Sequence, residues 1–208
     1  MVYMNTTIIY SPHPDDETLY LGAYVAAMKA AGKYLVLVAC SNGDGSGARP
    51  ANMTKDTLVS IRQEEQRRAW ECLTGGSGKI IYLNMLDGAV DASQVTLVAE
   101  GLDAIYSKYG TVEHYAAANT ATTTVANQAP DHLAVANGLK AAVTVGAKRG
   151  SKVPRDTSSG GTLYAPAGTD LARCKDADFA YSAFGQKSVP TDWTALRASG
   201  YDSRIVLL

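Results

Sequence analysis

Apolar and polar positions along this chain fall into two alternating kinds of segment. Short runs rich in β-branched, leucine and aromatic residues stand at Thr6–Tyr10, Tyr34–Ala39, Lys79–Leu83 and Thr111–Tyr115. Runs of this length, bounded by turn residues, predict buried strands. Longer Ala/Leu-rich or amphipathic stretches, Thr18–Ala31, Thr57–Leu73, Val95–Tyr109 and Asp131–Lys148, predict helices. Within the second of these, Leu58, Ile61, Glu65, Ala69 and Leu73 fall near one face. Gly32, the Gly75–Gly78 cluster and Gly110 stop the first three helices. Past residue 150 the pattern weakens. A polar connection over 151–161, a strand at Thr162–Ala165, short helices at Ala177–Phe184 and Thr191–Ser199, and a last strand at Arg204–Leu208 are expected.

Strand–helix alternation predicts an α/β, Rossmann-like layered fold with a mostly parallel central sheet flanked by helices. Right-handed crossovers bring the strand-to-helix turns to one edge, so His13, Asp44, Asp87 and His114 are expected to gather there. A length of 208 residues suggests one domain, 1–208, with a core over 1–150 and a C-terminal extension over 151–208.

Composition narrows the partners. Apolar residues make up 46% of the chain, enough for a sizeable core. Nineteen basic against twenty acidic residues leave a net charge of −1, which argues against nucleic acid. No apolar run reaches membrane-spanning length and no secretory leader is read. The cytoplasm is therefore the default compartment, and export of a mature chain is compatible with the same sequence. Cys40, Cys72 and Cys174 are too scattered for a metal knuckle and odd in number for a disulfide framework. Histidines are scarce: His13, His114 and His132.

Candidate chemistry concentrates in Ser11-Pro12-His13-Pro14-Asp15-Asp16-Glu17, between the first strand and the first helix. In an open α/β sheet such a turn lies at the carboxyl end of a strand, where ligands bind. His13 and Asp16 can reach one cation from it, a pair that suits a catalytic zinc with an open position. Asp15 is left free to handle a proton. The competing reading is a capped helix start, with Asp15 or Asp16 on free amide groups and Pro14 stiffening the turn. A histidine two residues ahead, flanked by prolines, favours the metal. The loop Ser41–Gly47 carries glycines at 43, 45 and 47. It either lets backbone approach a ligand closely or is a plain surface loop; no lysine follows where a phosphate loop needs one.

The block Ser11–Leu19, the Asn42–Gly43 turn, the helix Arg62–Ala69 and Pro130-Asp131-His132 together resemble the LmbE-like, or PIG-L-like, family of metal-dependent N-deacetylases, over roughly the first 150 residues. The resemblance implies zinc, or another divalent metal, held by His13, Asp16 and His132, with Asp15 as general base. It suggests Asp44, Arg62 and Asp87 as contacts to the substrate. The implied substrate is a small molecule or glycan carrying an N-acyl amine, such as an N-acetylglucosamine-type sugar. His132 has a second reading, as a first-turn helix residue bonded to Asp131, and Asp131 can orient a histidine from behind. One departure stands out. A histidine of the family that assists the oxyanion is replaced here by Ala129, and losing one such donor costs about 10²–10³ in rate. His114 is the natural catalytic substitute, or else a packed strand histidine. The alternative function is a weakened deacetylase-like protein that binds a glycan or metabolite. A nucleotide-binding module lacks the strand–GxGxxG–helix spacing. Oligomeric state is not read from the sequence.

Overall fold

The computed structural model describes residues 4–46, 49–119, 130–142, 144–152, 162–183, 197–198, 201 and 203–207. Five strands run parallel: β1 (Thr6–Ser11), β2 (Tyr34–Ser41), β3 (Lys79–Met85), β4 (Val112–Asn119) and β5 (Ala147–Lys152). They lie in the order β3-β2-β1-β4-β5. The sheet continues through β7 (Ser203–Leu207), antiparallel to β5, to β6 (Thr162–Tyr164) at the edge, antiparallel to β7. The α/β class with a mostly parallel sheet is as the alternation predicted.

The helices are α1 (Asp16–Leu19), α2 (Gly22–Ala30), α3 (Lys55–Thr74), α4 (Ala92–Tyr106), α5 (Pro130–Ala141) and α6 (Gly168–Ala183). The two-residue period of β1 sorts them into layers. Ile9 joins Leu35, Leu37, Tyr24, Trp70, Leu73 and Tyr181 on the face covered by α2, α3 and α6. Ile8 and Tyr10 join Val36, Val38, Val95, Leu102, Val135 and Leu139 on the face covered by α4 and α5. Strands buried on both faces read as continuous apolar runs, which is why β1 and β2 are legible in the sequence. Each such side chain, fully buried, contributes about 1.5–3 kcal/mol.

Some boundaries differ from expectation. The predicted helix Asp131–Lys148 ends at Ala141, and Ala147–Lys152 is strand β5 instead. Its sequence, AKRGSK, has no strand pattern; pairing with β4 and β7 on either side imposes the conformation. The first helix breaks at Tyr20–Leu21 into α1 and α2, α6 starts nine residues before its predicted Ala177, and β4 runs on to Asn119. The expected helix Thr191–Ser199 lies largely outside the described residues. No helix among the described residues is long and apolar enough to cross a membrane.

The chain leaves β1 toward β2 on one side and β4 lies on the other. The order reverses there, and the carboxyl ends of β1 and β4 frame the crevice where ligands bind in open α/β sheets.

Candidate metal centre

β1 ends at Ser11, and the chain turns through Pro12–Asp15 into α1. Asp16, in the first turn of α1, faces back over the turn. Its Oδ2 accepts the His13 backbone N–H at 2.8 Å and lies 3.2 Å from His13 Nδ1 and 3.3 Å from His132 Nε2. His132 comes from the first turn of α5, more than a hundred residues later. Donor atoms of His13, Asp16 and His132 all lie within 4.8 Å of one another. A tetrahedral zinc with bonds near 2.0–2.1 Å has edges of about 3.3 Å between donors. The two donor pairs measured on Asp16 Oδ2 match that edge, so the donor set fits a zinc-sized cation with an open position.

The other nitrogen of His13 is also held. Its Nε2 lies 3.1 Å from Asp131 Oδ2 and 3.5 Å from Asp87 Oδ1. Asp131 is buried and pinned: Oδ2 accepts Gly88 N–H at 2.7 Å and Oδ1 accepts Val90 N–H at 3.0 Å. A carboxylate behind one ring nitrogen directs the proton there and leaves Nδ1 to a cation. Burial opposes a charge on His13, but the hydrogen bonds to Asp131 and Asp16 and the charges of Asp16 and Asp87 push its pKa up to about 11. Burial likewise opposes the Asp16 charge, yet His132 and His13 hold that carboxyl below its usual range.

Asp15 sits alongside, buried, at φ 140° and ψ −26°, a backbone conformation that costs an L-residue on the order of 1–3 kcal/mol. Arg62, buried on α3, donates Nη2 to Pro14 O at 2.6 Å and to Asp15 Oδ2 at 3.3 Å. Burial pushes the Asp15 carboxyl up and Arg62 pulls it back, with a net rise. A carboxylate shifted this way is a stronger base near neutral pH.

Residues 8–143 match the family described as PIG-L: GlcNAc-PI de-N-acetylase. The chain belongs to the PIG-L family. Among curated proteins none matches it significantly in sequence. Among solved structures it is similar to the N,N'-diacetylchitobiose deacetylase of Pyrococcus horikoshii, with TM-score 0.70, 18% identity, and coverage of 98% of this chain and 83% of that one. It is also similar to the zinc-inhibited form of teicoplanin deacetylase Orf2, with TM-score 0.65, 14% identity and 98% of each chain covered. GalB, the 4-carboxy-2-hydroxymuconate hydratase of Pseudomonas putida, matches at TM-score 0.67 and 16% identity over 94% of this chain and 84% of that one. At these identities the likeness concerns the fold. Family membership supports a hydrolase of the deacetylase type.

In this PIG-L protein the structure brings His13, Asp16 and His132 together, with Asp15 and Asp131 alongside. Asp87 joins them through His13. Asp44 stands behind Asp87: its Oδ1 accepts Asp87 N–H at 2.9 Å and its Oδ2 accepts Lys55 Nζ at 2.9 Å. The glycine loop packs against these side chains. At Gly43, φ +70°, a Cβ would fall 2.6 Å from Arg62 Nε, and at Gly45 one would fall 2.9 Å from Asp87 Cγ. Both glycines make room for site residues. Arg62, expected at the substrate, is occupied beneath the turn by Pro14 and Asp15.

His114 does not join the group. It is fully buried in β4 opposite Ile8, with Nδ1 3.0 Å from the Tyr10 hydroxyl and Nε2 3.2 Å from Asp103 Oδ1. The expected strand end at Tyr115 was four residues short of the true one, which places His114 well inside the sheet. Burial lowers its pKa, against the pull of Asp103. Ala129 lies outside the described residues. Sequence reasoning missed Tyr20, whose ring stands edge-on to His132 at 5.7 Å between centroids. It also gave no role to Glu17, and Tyr181 carried no local signal at all.

Proposed function

We propose that this protein is a zinc-dependent N-deacetylase, with another divalent metal as a possible replacement, acting on an N-acetylglucosamine-type sugar or a related amide. The observation that carries the reading is the convergence of His13, Asp16 and His132 beside a buried carboxylate, Asp15, backed by Arg62. His13, Asp16 and His132 would hold the metal. When bound, it supplies Lewis acidity, acidifying a water and polarising the acyl oxygen. The chain's own groups do the rest. Asp15 accepts the proton of the attacking water at its carboxylate and returns it to the nitrogen as the C–N bond breaks, so that the acid and the free amine leave. Asp131, fixed by two backbone amides, keeps the His13 ring oriented. Asp87, part-exposed beside His13, faces the substrate side. The test is zinc content by elemental analysis together with acetate release from a panel of N-acetylated sugars. About one zinc per chain and acetate release are expected; a metal-loaded protein that frees no acid from any amide overturns the reading.

The weakened-catalyst reading draws on Ala129 and on the burial of His114, whose ring nitrogens face Tyr10 and Asp103. Ala129→His separates the two. A rate gain of about 10²–10³ identifies a missing oxyanion donor; an unchanged rate identifies a mechanism that supplies the donor elsewhere.

A further inference from the structure

We propose that Glu17 and Tyr181 form a buried strut that makes helix α6 a working part of the metal-binding turn. Glu17 follows Asp16 directly and is fully buried. Its Oε1 accepts the Tyr181 hydroxyl and Thr18 Oγ1, the latter at 3.2 Å. Its Oε2 accepts Gln66 Nε2 at 3.0 Å and the Asp15 backbone N–H at 3.4 Å. Ser11 Oγ lies 3.1 Å from the same oxygen and 2.6 Å from His13 O, so its single proton goes to one or the other. These partners come from β1, α1, the turn between them, α3 and α6. Among the described residues no arginine or lysine bonds this carboxyl, and its donors there are neutral.

A buried carboxyl is costly, and replacing such a group by apolar side chains is often neutral or stabilising. What it provides here is position. The amide it accepts belongs to Asp15, the residue with the rare φ of 140°. Asp15 O in turn accepts Thr18 N–H and Leu19 N–H, both at 2.9 Å. Glu17 thus holds one side of the strained peptide while the start of α1 holds the other, with the proposed base and two proposed ligands on the same turn. Tyr181 reaches Glu17 across 164 positions of sequence, and so ties the segment after residue 150 to the turn through a side-chain bond. Glu17 and Tyr181 are positioning residues that act through Asp15, His13 and Asp16.

The catalytic arm of the test rests on the proposed deacetylase reading; the structural arm does not. Tyr181→Phe and Glu17→Gln are compared with the parent by three measurements. Amide hydrogen exchange of the segment 11–19 is expected to quicken about tenfold in Tyr181→Phe, with peptides from β2 and α4 unchanged. Zinc affinity, by chelator competition, is expected to fall 10–100-fold or so, the usual cost of losing a group behind a metal ligand. The kcat for acetate release should fall while KM stays within about twofold, since the strut orients the base. Tyr181→Phe removes one oxygen and keeps the ring, so it serves if Glu17→Gln does not fold. A variant that melts earlier yet keeps parental exchange at 11–19 and parental zinc affinity overturns the strut. If the parent binds no zinc or frees no acetate, the hydrolase reading fails, and the exchange comparison still decides the strut.

Discussion

Asp15 and His13 do different work from the same turn, and each makes a separate prediction. Asp15 has no place among the three clustered donors, so Asp15→Asn should keep its zinc while acetate release falls about 10²–10⁴-fold; elemental analysis and a coupled acetate assay check both halves. His13 in the metal-free protein is surrounded by Asp16, Asp87 and Asp131, and its pKa of about 11 means that it carries a proton at neutral pH. A metal must displace that proton. Zinc affinity should therefore rise with pH, by about tenfold per unit for each proton released. Calorimetry in buffers of different ionisation enthalpy would count the released proton; zinc binding with no proton release would show that His13 is not a ligand.

β4 and α4 are joined through His114, which lies between the Tyr10 hydroxyl of β1 and Asp103 of α4. Its folded pKa is lowered, so the unfolded chain takes up this proton first. The stability it contributes is complete above its ordinary value of about 6.5 and is lost as pH falls below it. His13 works with the opposite sign: its stabilisation is complete below about 6.5 and is lost as pH rises toward about 11. Comparing urea unfolding of the parent with His114→Gln isolates the first effect. Between pH 7 and pH 5, roughly, the parent should lose more stability than the variant; parallel curves would mean that His114 is not held neutral. The loop elements carry a related lesson. Gly43 and Gly45 read in the sequence either as room for a ligand's close approach or as a plain surface loop; in the structure the space a Cβ would take there is filled by Arg62 and Asp87.

Taken together, the proposed ligands span the fold: His13 and Asp16 from the β1–α1 turn, His132 from α5 on the opposite side of the crevice. An ion shared between them should stabilise the folded chain as a unit. Zinc at a hundred times its dissociation constant adds about 2.7 kcal/mol, or roughly 5–10 °C in a melt of a chain this size. His132→Ala should abolish the shift, as read by differential scanning calorimetry.

Local physics made much of this protein legible in one dimension. β1 and β2 announce themselves because strands covered on both faces carry near-continuous apolar runs, here Ile8–Tyr10 and Leu35–Cys40. Likewise His13, Asp15 and Asp16 sit within four residues, so their common turn follows from spacing alone. Other features depend on contacts between distant segments. β5 is a strand because β4 and β7 flank it, whatever AKRGSK prefers. His114 is a core residue because β4 lies between β1 and β5 and its ring is held between Tyr10 of β1 and Asp103 of α4. The pairing of Asp131 with His13 and of Tyr181 with Glu17 joins positions 118 and 164 residues apart. Periodicity and turn chemistry act over a few bonds and are written into neighbouring residues, whereas the meeting of remote side chains is settled by how layers pack around the sheet.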